Sequence, residues 1–158
     1  LEELLSDYFL FFQNNPTNVI GREKSFTYMM EDINVKISGK IDRIDDHGDS
    51  LGIVDYKTSR KKQKVIKNIQ MALYTEALLH GAVEGISGKP GDASLHFLRF
   101  GDDPIASHRF TDEELEEYRD TIKGVASGIR SGSFETNKDD YNCQYCDYKE
   151  FLCPAWEE

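Results

Sequence analysis

With 158 residues, 39% of them apolar, and with nine Phe and eight Tyr, the chain can bury one domain core, which excludes a disordered tail and a pair of ordinary domains. No apolar run approaches the roughly 20 residues that span a bilayer, and no basic leader with an apolar stretch marks secretion, so a cytoplasmic, membrane-free protein is expected. The net charge of −10 argues against a freestanding nucleic-acid binder, which ordinarily carries a basic excess.

The first predicted element is a helix from Glu2 to Gln13, apolar on much of its circumference (Leu4, Leu5, Tyr8, Phe9, Phe11, Phe12) and stopped by Asn14-Asn15-Pro16. The chain enters this helix directly from Leu1, so a fragment of a longer protein, truncated at its N-terminus, is expected. Strands follow at Glu23 to Met30 and Asn34 to Ile44. Asp45-Asp46-His47-Gly48-Asp49 is a hairpin turn, and Leu51 to Lys57 returns with the apolar run of a central strand.

An amphipathic helix is predicted over Val65 to His80, with Ile66, Ile69, Leu73, Ala77 and Leu78 on its apolar face and Gly81 ending it. After a glycine-rich loop from Gly85 to Asp92 comes a strand over Ala93 to Phe100. The turn Gly101-Asp102-Asp103-Pro104 leads to a short strand at Ser107 to Phe110. Thr111-Asp112-Glu113-Glu114 is a capping box opening a last helix with Leu115, Tyr118, Ile122, Val125 and Ile129 inward, ended by Gly132. This order predicts an α/β fold, a mixed sheet flanked by helices, as a single domain over 1–158 with a cysteine-rich tail at 141–158.

Chemistry concentrates at Asp42 and at Asp55-Tyr56-Lys57. Asp42 and Asp55 stand on consecutive strands joined by a hairpin, so their carboxylates can approach each other. Two such charges are costly together unless a cation lies between them, and Mg²⁺ (or Mn²⁺) takes one or two carboxylates plus water and substrate phosphate. The backbone carbonyl of Tyr56 is a candidate third metal ligand. Asp55 and Lys57 share one strand face, which places the ammonium to orient a water attacking phosphorus and to offset transition-state charge. An Asp-x-Lys alone is an ordinary exposed strand; at the end of a buried run it is unusual without a function. Arg60, Lys61 and Lys62 belong to a basic run beside this site and are candidate substrate contacts, while the acids collect at Thr111 to Asp120 and at Glu157-Glu158.

Gly39-x-x-Asp42, then Asp55-x-Lys57, then Gln70-x-x-x-Tyr74 on the next helix resembles the RecB-like branch of the PD-(D/E)xK nuclease superfamily. The resemblance is close over Ser38 to Ala77 and follows the element order elsewhere. It implies a restriction-endonuclease-like core and Mg²⁺-dependent cleavage of DNA, with exonuclease action favoured and an attached or associated helicase as partner. It also implies Asp42 and Asp55 as metal ligands, Lys57 as the catalytic lysine, Gln70 at the site or substrate, and Tyr74 one turn on. Glu23 lies where such proteins often carry an acid, without a catalytic assignment.

Cys143-x-x-Cys146-x₆-Cys153 closes the sequence. The odd count and the expected compartment disfavour a disulfide, and a closed metal site needs four ligands where only three cysteines stand, with no histidine at ligand spacing. Free thiols are the plain alternative. The resemblance implies a [4Fe-4S] cluster in the full-length protein, its fourth cysteine and a metal-binding histidine lying upstream of this chain, so that the fragment alone is expected to be weakly active or inactive. A zinc-stapled structural domain, and a catalytically silent module that grips DNA or a partner, are the rival readings.

Overall fold

Alternation creates the first strand: Phe26, Tyr28 and Met30 are buried while Thr27 and Met29 between them are exposed, as a half-buried strand requires. The computed structural model describes residues 2–101, 103–136, 138–149 and 152–156; Asp102 of the expected turn and the acidic Glu157-Glu158 end lie outside them. The chain divides into two compact units, 1–121 and 122–158.

In the first unit, helix α1 (Glu2–Asn14) precedes β1 (Asn18–Met30), β2 (Val35–Asp46) and β3 (Leu51–Lys57), which form an antiparallel meander. Helix α2 (Ile69–Leu79) then crosses to β4 (Pro90–Phe97), which pairs in parallel with β3, and β5 (Ile105–His108) adds antiparallel to β4. The sheet order β1-β2-β3-β4-β5 is the expected mixed sheet flanked by helices. Among the described residues no helix is long and apolar enough to cross a membrane.

Several boundaries moved for local reasons. β1 begins five residues earlier than predicted because a bulge between Val19 and Gly21 breaks its alternation. A Cβ on Gly21 would lie 2.5 Å from Ile86 Cδ1, so a larger residue there would have to displace that methyl group. The predicted helix over 65–80 is a 3₁₀ turn at Val65–Lys67 followed by α2. Asn68 separates them: its backbone is extended and its side chain accepts from the Met71 amide at 3.3 Å, a helix N-cap. That break exposes Ile66 and Ile69, whereas Met71, Ala72, Tyr74, Thr75, Glu76, Ala77 and Leu78 are buried almost all round the helix. β4 starts at Pro90, tolerated as the first residue of a strand, and β5 lies two residues earlier than expected.

Side-chain alternation gives the sheet two working faces. Asp42, Ile44, Ile53, Asp55 and Lys57 share the front, covered by α2; Arg43, Asp45, Tyr56 and His96 share the back, where α1 lies. Helix α3 (Asp112–Ser131) spans the division between the units. Within the first unit, Arg119 grips buried Glu76 of α2 through two nitrogens, at 3.2 and 2.7 Å, and Leu115 is buried. In the second unit Val125 and Ile129, expected inward, are exposed.

Candidate active site

The front-face site is set by strand register. The β2–β3 pairing of Arg43 with Val54 and of Ile44 with Ile53, continued by one step, places Asp42 opposite Asp55. Asp42 is half-buried and its Oδ2 accepts from the Tyr56 amide at 3.0 Å; Asp55 is 3% exposed. Lys57 Nζ lies 2.6 Å from Asp55 Oδ2 and donates to Gln70 Oε1 at 2.9 Å. Gln70 Nε2 donates to the Tyr74 hydroxyl at 2.7 Å, and that hydroxyl donates to the Lys40 carbonyl of β2, also at 2.7 Å. One line of contacts therefore runs from Asp55 through Lys57, Gln70 and Tyr74 back to the strand that carries Asp42.

Each member of that line is held by packing. Gly39 lies beneath the Phe26 ring, which a Cβ there would meet at 2.8 Å, and Phe26 in turn meets Tyr74 edge to face at a 5.7 Å centroid distance. The glycine of the Gly39-x-x-Asp42 spacing is thus needed to seat the aromatic that props Tyr74. Burial pushes the Tyr74 hydroxyl's pKa up; the Gln70 hydrogen bond opposes this, and the charges of Asp55, Asp42 and Glu23 add to it. Tyr74 accordingly keeps its proton and remains a donor to Lys40.

Burial also raises the Asp55 carboxyl above its ordinary value, with Lys57 pulling it down and Asp42 pushing it up. Among the described residues, buried Asp55 Oδ2 has its ion contact to Lys57 and no further hydrogen-bond partner. Such an oxygen, on the sheet face that also carries Asp42, fits a hard divalent cation, and Asp42 and Asp55 are the residues that could hold one. A linkage consequence follows for the protein without divalent ions. A raised folded-state pKa contributes stability that is present below the unfolded value and lost as pH rises through the folded value. Asp55→Asn is therefore expected to raise the metal-free melting temperature at neutral pH, the gain shrinking toward pH 4; an unchanged or lower melting temperature would contradict it.

The basic run divides. Lys62 pairs with Asp103 at 2.5 Å and lies over the Phe100 ring at 5.4 Å, while Arg60 and Lys61 are exposed. Arg99 Nε holds the loop by donating to the Thr58 carbonyl at 2.6 Å. Sequence reasoning gave Glu23 no role. It lies in β1 level with Asp42, between the paired residues Arg22 and Lys24, with φ +49° and an ion pair to Lys40 at 3.3 Å. That left-handed backbone carries no sequence signal at a glutamate.

The back face holds a polar network that sequence reasoning missed. Arg43 and Asp45 are both nearly inaccessible and pair at 2.8 Å. Arg43 Nη1 donates to the hydroxyls of Tyr56 at 3.0 Å and Tyr8 at 3.2 Å, and Tyr8 bonds His96 Nδ1 at 2.7 Å. Burial, reinforced by Arg43, lowers the His96 pKa to about 4, so it is neutral and accepts from Tyr8. The alternating Arg43-Ile44-Asp45 pattern was the available signal.

The cysteine expectation is overturned. Among the described residues no group of three or more His, Cys, Asp or Glu side chains gathers to hold a metal ion. Cys143, Cys146 and Cys153 are free, with Cys146 exposed and Cys143 Sγ accepting from the Asp139 amide at 3.4 Å. Three thiols so arranged do not make the four-ligand shell of an iron–sulfur or zinc site. The resemblance to the RecB-like branch with its cluster pattern is corrected accordingly, and what stands is the wider superfamily.

A search of curated proteins finds no match to the chain. A family model described as the PD-(D/E)XK nuclease superfamily matches residues 2–154. The mixed α/β sheet, with an acid on β2 and Asp-x-Lys on β3, is consistent with the restriction-endonuclease-like core of that family. The chain belongs to the PD-(D/E)XK nuclease superfamily.

Proposed function

We propose that this domain hydrolyses DNA phosphodiesters with a divalent cation, Mg²⁺ or Mn²⁺, held by Asp42, Asp55 and the Tyr56 carbonyl. The observation that carries the reading is the contact line Asp55–Lys57–Gln70–Tyr74–Lys40, which joins the two carboxylates' strands through an ammonium. A cation bound there would neutralise the scissile phosphate and favour ionisation of the attacking water.

The chain's own side chains do the rest. Lys57 holds a positive charge beside Asp55, where negative charge develops on the phosphate in the transition state. Gln70 fixes the lysine's direction, and Tyr74 fixes Gln70, so the ammonium is preorganised before substrate arrives. Exposed Arg60 and Lys61 come just after Thr58 and Ser59 at this strand end, and in this reading they meet the DNA backbone. Their small number beside a net charge of −10 implies weak, salt-sensitive binding.

The test is cleavage of linear duplex and single-stranded DNA by the intact protein with and without Mg²⁺. Cleavage is expected to need the cation and to fall below detection in Asp42→Ala. Metal-independent cutting, or an Asp42→Ala protein as active as wild type, would sink the reading. DNA binding without cutting under all metal conditions would favour a silent binding module.

A further inference from the structure

We propose that Arg43 and Tyr56 form a positioning tether on the back of the sheet that fixes the Asp55-Tyr56-Lys57 segment for the reaction on its front. The inference rests on the nuclease reading of Asp42, Asp55 and Lys57, and goes beyond it by assigning a role to groups on the opposite face.

The need for a tether comes from where the backbone pairing stops. The β2–β3 ladder ends at Arg43 and Val54. Beyond it, Asp55, Tyr56 and Lys57 are paired only to β4, at Leu95, His96 and Phe97. On the β2 side the Tyr56 amide donates to the Asp42 side chain, not to a backbone carbonyl. The residues that carry the chemistry thus sit on the least supported stretch of the strand.

Tyr56 points to the back, where Arg43 Nη1 donates to its hydroxyl at 3.0 Å. Arg43 is itself fixed, by Asp45 at 2.8 Å, by the Tyr8 hydroxyl at 3.2 Å and by the Phe12 ring 4.9 Å from its guanidinium carbon. A cavity of about 490 Å³ beneath α1 borders Tyr56, Arg43, Tyr8 and Phe12. One side of the Tyr56 ring is therefore open, while Tyr8 and His96 meet it edge to face at centroid distances of 5.5 and 5.9 Å and the Arg43 hydrogen bond fixes its hydroxyl end. Because Asp55 and Lys57 flank Tyr56 in the chain, a backbone shift at that residue alters both their directions. The front contacts of 2.6 and 2.9 Å at Lys57 Nζ have little slack for such a change.

The network is also imperfectly satisfied: Arg43 Nε and Asp45 Oδ1 are buried and find no hydrogen-bond partner among the described residues. A buried ion pair with unmet groups is a poor source of stability, as an apolar replacement would be cheaper, so a role in fixing geometry accounts for it better.

Tyr56→Phe in the intact protein tests the tether, since it removes one hydroxyl on the back and leaves the front side chains untouched. Mn²⁺ binding is read by electron paramagnetic resonance as the part lost in Asp42→Ala, and is compared with cleavage across Mg²⁺ concentrations and with amide exchange. The expected result is Mn²⁺ affinity and cleavage both lower by roughly tenfold, as for loss of an outer partner of a metal site, with faster exchange confined to peptides covering 55–57. Unchanged affinity and cleavage overturn the inference. So does loss of protection spread over the whole domain, which would mark a merely structural role. A wild-type protein that neither binds Mn²⁺ nor cuts DNA overturns the nuclease reading, and this inference with it; a wild type that does both, matched by Tyr56→Phe, overturns the inference alone.

Discussion

Lys57→Ala in the intact protein is expected to slow DNA cleavage on the order of 10³-fold at saturating Mg²⁺, with DNA binding nearly unchanged. The ammonium is held between Asp55 at 2.6 Å and Gln70 at 2.9 Å, so alanine removes a preorganised charge and not a diffuse surface one. It also deprives Asp55 of the one neighbour that pulls its pKa down, leaving burial and Asp42 to push it up. Lys57→Arg keeps the charge but replaces a compact ammonium with a planar fork that does not fit both partners, and a large loss is expected to remain. Single-turnover cleavage by the two variants and the wild type measures both effects. A Lys57→Ala rate within threefold of wild type would remove the lysine from the mechanism.

The site was more legible in the sequence than the fold's edges, for a physical reason. Asp42, Asp55 and Lys57 are fixed by strand parity and by one hairpin whose turn, with Gly48 at φ +90°, is marked by Asp46-His47-Gly48. Once the hairpin is read, it follows that Asp42 and Asp55 stand on the same face of neighbouring strands. The Gln70–Tyr74 bond is a one-turn helical neighbour relation and follows as easily. Helix edges depend instead on competition between local bonds, and the Asn68 cap outbids a helical pattern that runs straight through it. The apolar spacing of Val125 and Ile129 marked a stripe, but not whether anything covers it. The cysteine spacing misled most: a motif states ligand types, while a metal site needs side chains that converge, and convergence is a tertiary fact. The back-face network was hidden because Arg43 and Asp45 look, in sequence, like polar residues facing water.

Arg43→Met is expected to destabilise the domain by about 3–5 kcal/mol, because it leaves Asp45 as an uncompensated charge in a nearly inaccessible position. The side chains are close in length, so the loss would report charge and hydrogen bonding more than volume. Adding Asp45→Asn or Asp45→Leu to Arg43→Met should return much of the lost stability, since the second change removes the stranded charge. If the pair were instead a net source of stability, the double variant would stay about as unstable as the weaker single variant. Chemical denaturation of both single variants and the double variant decides between these outcomes. Under the tether, a double variant restored in stability still lacks the donor to Tyr56 and should remain impaired in Mn²⁺ binding and cleavage. Stability and activity would then part company at a residue on the face of the sheet away from the carboxylates.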